Sequence, residues 1–310
     1  MKAFPVFDAH CDTALELWER QASLRQNSGQ WDLARAAQLP GWAQFFAFCP
    51  ICSPFAAALG AETVLERAYA QFLQQLEACQ LPVCRDVAEV ERQMPTGAVL
   101  LSLEGAEGIG CDPGRLESLR LQGFAMTGLT WNYENALAGS HVTGQGLSAR
   151  GADYVRAAQQ LGMLVDVSHV SDEAFWQVCR MTQGPILASH SNSRAVCPES
   201  RNVTDGMYAA ICETGGVVGL NLYTEFLGRG QVDFETVWQH LDHFLQQAGD
   251  DRHVALGADL DGCDSLPAGF TGVASYPALA EYLAAHGLGE ETLRRLYFEN
   301  LMGVYRKCIK

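Results

Sequence analysis

His10 and Asp12, two residues apart, close an apolar run near the start of the chain, VFDAHCDT at 6–13. In an extended chain residues i and i+2 point to the same side, so imidazole and carboxylate converge at the strand's end. A borderline nitrogen and a hard oxygen meeting at one point suit a divalent metal. Taken alone, the stretch also fits a helix N-cap by Asp12 beside a hydrogen-bonded core histidine. The same kind of ending recurs along the chain. Apolar runs finish on Glu104 (LLSLEGAEG), His169 (LVDVSHV), His190 (ILASHS) and the pair Asp259 and Asp261 (ALGADLDG). So many histidines and carboxylates exceed the three protein ligands of one catalytic zinc. Two metals about 3.5–4 Å apart need a bridging oxyanion to offset their repulsion. Lysine occurs only at Lys2, Lys307 and Lys310. No internal lysine is therefore on hand as a carbamylated bridge, a Schiff-base nucleophile or a phosphate-loop lysine. The bridge falls to a carboxylate, and Glu104, on a middle strand and followed by Gly105, is the natural candidate.

Other chemistry-bearing residues read more plainly. Cys49 and Cys52 form an isolated CxxC, and no second pair completes a zinc ribbon. His240, His243, His253 and His286 lie in or beside helical patterns and read as surface or capping side chains.

The runs that carry the candidate ligands are eight candidate strands: 4–10, 42–49, 97–105, 124–131, 162–169, 185–191, 215–223 and 253–262. They are nearly continuous apolar runs, as expected of parallel strands covered on both faces. Stretches 62–79, 148–161, 171–181, 234–248 and 276–286 carry apolar residues at helical spacing. Ser171 with Asp172 and Glu173 signals a helix start. Strand then helix, repeated, predicts an α/β fold, a (β/α)8 TIM-like barrel of the metal-dependent hydrolase type in one domain over 1–310. Such a barrel gathers its catalytic groups at the C-terminal strand ends. A doubly wound open sheet is the alternative, but it calls for a Gly-rich phosphate loop after the first strand, and DAHCDT is not one.

Composition narrows the function classes. The chain has 310 residues, 48% hydrophobic and 18% charged, with a formal net charge of -15. That balance works against nucleic-acid or anionic-membrane partners, whose phosphates need Lys and Arg. No run reaches the roughly 18 apolar residues of a membrane span, and MKAFPVFDAHCDT has no signal-peptide core. A cytoplasmic location is the expectation. The 11 cysteines read as reduced, buried small hydrophobes.

Together, DAHCDT, LSLEGAEG, GLTWNYENALA, GMLVDVSHVSDEAFW, ASHSNSRAVCPESRNVTD, GGVVGLNLY and LGADLDG resemble the membrane dipeptidase (renal dipeptidase) family of zinc peptidases, family M19, in its shorter bacterial form. The resemblance implies a zinc-dependent dipeptidase acting through a hydroxide that bridges two zinc ions. It implies that His10, Asp12 and Glu104 bind one zinc, and that Glu104, His169 and His190 bind the other. Arg201 matches the arginine that receives the substrate's C-terminal carboxylate. Asp259 matches the catalytic aspartate, and Tyr223 a tyrosine of the substrate pocket. The chain departs from the mammalian pattern at Trp131, where those members carry a substrate-polarising histidine. Asn132, Tyr133 and His141 are the candidate stand-ins. A homodimer and a dipeptide substrate are the partners the family implies; its membrane attachment is not expected here. Two rivals stay open: another binuclear amidohydrolase, acting for example on β-lactams, and a non-catalytic binding protein on the same fold.

Overall fold

Strands whose residues are apolar on both faces form where the sequence predicts them. They are β1 (Val6–Cys11), β2 (Trp42–Phe48), β3 (Ala98–Leu103), β4 (Phe124–Gly128), β5 (Leu164–Asp166), β6 (Leu187–Ala188), β7 (Val217–Leu220) and β8 (Val254–Leu256). The computed structural model describes residues 4–309; Met1–Ala3, part of the N-terminal stretch from which no export is expected, and Lys310 lie outside these. Every strand is parallel to its neighbours, and β8 pairs back onto β1 to close the barrel. Closure leaves no edge strand and excludes the doubly wound open sheet. The five helices expected from periodicity appear as Ala61–Ala78, Ala149–Gln160, Asp172–Met181, Phe234–Ala248 and Tyr276–Ala285. The Ser171 hydroxyl accepts the Ala174 N–H, so the predicted cap forms. Among the described residues no helix is long and apolar enough to cross a membrane. All eleven cysteines are free.

The barrel has two apolar layers. Phe7, Ala9, Phe45 and Leu100 fill the inside with Leu301, Met302 and Tyr305 of the C-terminal helix Asn300–Cys308, which closes the barrel from below. Phe7 stacks on Phe45 at 5.9 Å, and the Tyr305 ring meets both edge-on. Burying each such ring contributes about 1.5–3 kcal/mol. The outer layer packs the other strand faces against the helices. A rigid, plugged floor leaves the opposite rim free to carry polar groups.

Several strands are shorter than expected. The runs at 162–169, 185–191 and 253–262 give only β5, β6 and β8. The apolar pattern continues, but the backbone leaves the ladder to turn its side chains over the barrel mouth. His169, Asp259 and Asp261 have φ of 71°, 61° and 65°, left-handed values that cost a non-glycine residue about 1–2 kcal/mol. β1 does the same by a register shift against β2 between Asp8 and Cys11. This bulge offsets the alternation by one residue. Phe7 and Ala9 face inward before it, and His10 and Asp12 face inward after it.

His240 is a correction. It is not a surface or capping residue but is fully buried; Nδ1 accepts the Ser193 N–H at 3.1 Å and Nε2–H donates to the Leu227 carbonyl at 2.8 Å. The helical period alone does not say which face a histidine takes. Burial pushes its pKa down to about 4. A base whose folded pKa lies below its unfolded value favours folding above the unfolded value, near 6.5. That contribution fades as pH falls toward 4. The shift corresponds to about 3 kcal/mol. Unfolding of wild type and His240→Gln between pH 7 and 4 should show the wild type losing more stability on acidification by about that amount. Parallel curves would mean His240 is not held neutral. His243, His253 and His286 keep the expected peripheral roles, bonded to Asp205, the Gly216 carbonyl and Glu235.

Candidate active site

The strand ends converge as the barrel closes. The Glu104 carboxylate stands at the centre. Its Oε2 lies 3.3 Å from His10 Nε2, while its Oε1 lies 2.7 Å from His169 Nε2 and 3.7 Å from His190 Nε2. On the His10 side, Asp12 Oδ2 and Asp259 Oδ1 approach Nε2 at 3.3 and 3.7 Å. Asp12 sits at the N-cap of helix Thr13–Glu19, yet its side chain makes no capping bond. That answers the N-cap reading of VFDAHCDT: the carboxylate is turned into the cluster instead. Asp261 is turned away, accepting from the Thr13 hydroxyl and the Gln30 N–H.

Hydrogen bonds settle which ring nitrogens carry protons. His169 Nδ1–H donates to Asn132 Oδ1 at 2.9 Å. The Ser189 hydroxyl donates to Asp166 Oδ2 at 2.5 Å, so His190 Nδ1–H donates to Ser189 Oγ at 2.7 Å. Both histidines then aim an Nε2 lone pair inward, and the two Nε2 atoms are 2.9 Å apart beside Glu104. Buried lone pairs facing each other and a carboxylate favour a cation between them. His10 Nε2 and Asp12 Oδ1 are likewise buried and, among the described residues, without a hydrogen-bond partner. This mixed nitrogen and oxygen donor set fits zinc or a similar divalent ion.

The electrostatics agree. Burial disfavours charge on His10, but Glu104 and Asp12 outweigh it and hold its pKa well above the usual value. Burial likewise opposes the Glu104 charge, but His10 and His169 hold its carboxyl well below the usual range. Burial, then the charge of Glu104, pushes Asp12 up. Burial, then His10 and Arg201, holds His190 well down, and burial, then Arg201, lowers His169. The cluster thus draws positive charge to its centre while leaving two imidazoles neutral, the form that binds metal.

A cavity of about 650 Å³ opens above the cluster, lined among others by Asp12, Glu104, His169, Asp259, Trp131, Asn132, Tyr223 and Phe226. Arg201 is buried beside it at 4% exposure, its Nη2 donating to the His190 carbonyl and its guanidinium 5.4 Å over the Phe226 ring. Its Nε has no partner, and among the described residues no carboxylate pairs with it. A buried guanidinium left unpaired is a ready anion receptor. Tyr223 borders the same wall, its ring 4.9 Å from Phe226. Trp131 lies beyond the end of β4, not on it. His141 does not line the cavity. It stands behind Asn132, whose Oδ1 accepts from His141 Nε2–H at 3.0 Å, while Ser200 holds Nδ1 at 2.8 Å. Burial, then Arg201 and His169, holds His141 down at about 3, so it is neutral. With these tautomers both imidazole N–H groups fall on the same Asn132 oxygen. Tyr133 is exposed. Cys49 and Cys52 also line the cavity, and burial holds the Cys49 thiol well above its usual range, which keeps it an inert thiol.

Some site residues escape sequence reasoning. Asn221 donates to Asp259 Oδ2 at 3.0 Å and so aims that carboxylate. Phe226 follows Tyr223 in a short helix with no motif to mark it. Gly262 is required by space: a Cβ there would sit 2.1 Å from Asp12 Oδ2 and 2.5 Å from Asp259 Oδ1. Asp166 had a usable signal, since a carboxylate inside an otherwise apolar strand must have a buried partner.

A family model described as membrane dipeptidase (peptidase family M19) matches residues 1–309. A Klebsiella pneumoniae protein, described as an uncharacterized protein in the pqqA 5' region, is 35% identical over 244 residues, 74% of this chain and 89% of its own. An uncharacterized dipeptidase of Schizosaccharomyces pombe is 30% identical over 329 aligned positions, 98% of this chain and 80% of its own. A metallo peptidase from Rhodobacter sphaeroides, solved with a phosphinate mimic of the dipeptide L-Ala-D-Ala, superposes with a TM-score of 0.88 at 30% identity, covering 99% of this chain and 100% of that one. With the family motifs matched along the whole chain and their histidines and carboxylates gathered at one barrel mouth, this protein belongs to the membrane dipeptidase family, the metallo-dipeptidases of peptidase family M19.

Proposed function

We propose that the protein hydrolyses dipeptides with a free C-terminal carboxylate, using two zinc ions. The observation that carries this reading is the position of Glu104, whose two oxygens face two separate donor sets. His10 and Asp12 would hold one ion with Glu104, and His169 and His190 the other. Bound there, the metal pair lowers the pKa of a coordinated water and polarises the scissile carbonyl. The rest of the chemistry belongs to the chain. Asp259, aimed by Asn221, takes the proton from the attacking water and passes it to the leaving amine. Arg201 grips the substrate carboxylate in a charge-assisted pair and so restricts length. Asn132, its oxygen locked by two histidines, keeps its amide N–H groups free to donate to the developing oxyanion. Glu16 and Glu19 on the cavity wall offer carboxylates to the substrate's ammonium.

The Rhodobacter neighbour's ligand makes L-Ala-D-Ala the first substrate to assay, beside L-Ala-L-Ala. Protein purified without chelator is expected to carry about two zinc ions per chain, in line with a two-metal site. Chelation should abolish dipeptide turnover and zinc should restore it. A full metal complement without dipeptide turnover would move the activity to other amides, β-lactams among them. Absence of metal uptake would end the zinc reading altogether.

A further inference from the structure

Asp166 closes β5 beneath the metal cluster, and nothing in the proposed chemistry uses it. It is buried at 4% exposure. Its Oδ1 accepts the backbone N–H groups of Ser168 and Ser189, both at 2.9 Å. Its Oδ2 accepts the Ser189 hydroxyl at 2.5 Å, and that hydroxyl in turn receives His190 Nδ1–H at 2.7 Å. Asp166, Ser189 and His190 thus form a chain that ends on a candidate ligand of one metal.

His10 is the second histidine close to Asp166. Its Nδ1 is buried and, among the described residues, has no hydrogen-bond partner. If Nε2 faces a metal, Nδ1 carries the proton, and a buried N–H without an acceptor costs about 1–3 kcal/mol. The His10 ring lies over that of His190, centroids 3.8 Å apart. A His10 ring nitrogen, a His190 ring nitrogen and an Asp166 carboxylate oxygen all lie within 4.8 Å of one another. Atoms within that limit that make no direct bond are within reach of a single bridging water. Oδ2, with one donor taken, has a lone pair to spare. A third metal at this triad is disfavoured, because Ser189 already occupies His190 Nδ1 and His190 Nε2 faces Glu104.

We propose that Asp166 is a positioning residue for both halves of the metal centre, holding His190 through the Ser189 hydroxyl and His10 through one bridging water. Acceptors of this kind fix the ring tautomer and raise ligand basicity. The inference rests on the binuclear reading above, and its test separates the two.

Apo full-length protein is titrated with zinc against a chromophoric chelator, for wild type, Ser189→Ala and Asp166→Asn. Asparagine keeps the Oδ1 contacts to the two backbone N–H groups. Ser189→Ala should weaken one zinc by about 10–100-fold and leave the other nearly unchanged. Asp166→Asn should weaken both by a similar factor. Fewer than two zinc ions in the wild type would overturn the binuclear reading and this inference with it. Two ions in the wild type with unchanged variants would overturn this inference alone, as would an Asp166→Asn indistinguishable from Ser189→Ala. Should Asp166→Asn fail to fold, NMR of the zinc-loaded wild type decides the His10 arm. A slowly exchanging, hydrogen-bonded His10 Nδ1–H is expected, and a rapidly exchanging one overturns it.

Discussion

Glu104→Gln should lower dipeptide turnover by about a thousandfold or more and leave fewer than two zinc ions bound. The substitution keeps size and shape but removes the charge and one ligand oxygen. In the wild type that carboxylate divides its oxygens between His10 on one side and His169 with His190 on the other. An amide offers one acceptor and turns N–H donors toward the second donor set, where the imidazole lone pairs need a cation. Loss of the several kcal/mol a metal supplies converts to that rate factor. Elemental analysis and turnover on the same preparation check it, with excess zinc added to see whether activity returns. A variant holding its full metal complement at full activity would remove Glu104 from the bridge.

Arg201→Ala should reduce kcat/KM for dipeptides by about 30- to 5,000-fold, the equivalent of losing one partner of a buried charge pair at about 2–5 kcal/mol. Metal content should not change, because the Arg201 side chain bonds the His190 carbonyl and none of the candidate ligand atoms. The loss should vanish for a substrate whose C-terminal carboxylate is capped as an amide, since the wild type has nothing to grip there. Arg201→Lys should recover little, because an ammonium cannot pair in two-pronged fashion with a carboxylate or stack on Phe226. Steady-state kinetics on the free and amidated dipeptides decide the point. Equal losses on both substrates would assign Arg201 a purely structural role.

Much of this architecture is legible in the residues alone. Eight apolar runs separated by helical patterns imply a closed parallel barrel, because strands buried on both faces need cover on both. Five of those runs end on His10 with Asp12, Glu104, His169, His190 and Asp259 with Asp261. Barrel geometry then brings the ends to one rim. Asp261 shows where the pattern stops short. It sits two residues from Asp259 and has the same residue type, yet it bonds Thr13 and Gln30 outside the cluster. Alternation does not predict direction once the backbone leaves the ladder for left-handed φ at both positions.

What the sequence determined by itself was chemistry by type: which donors exist, that lysine is absent from the interior of the chain, and that a carboxylate must serve as any bridge. Residue types and periodicity are local, and local order suffices for them. Only the tertiary structure decided the geometry in which the donors meet. It split the two oxygens of Glu104 between residues 10 and 169, buried Arg201 with no counter-ion among the described residues, drew His240 into the core, and set Asp166 beneath two histidines. These are relations between segments distant in the chain. They follow from closure of the barrel and from where each buried proton finds an acceptor, and neither is written in the spacing of residues along a strand.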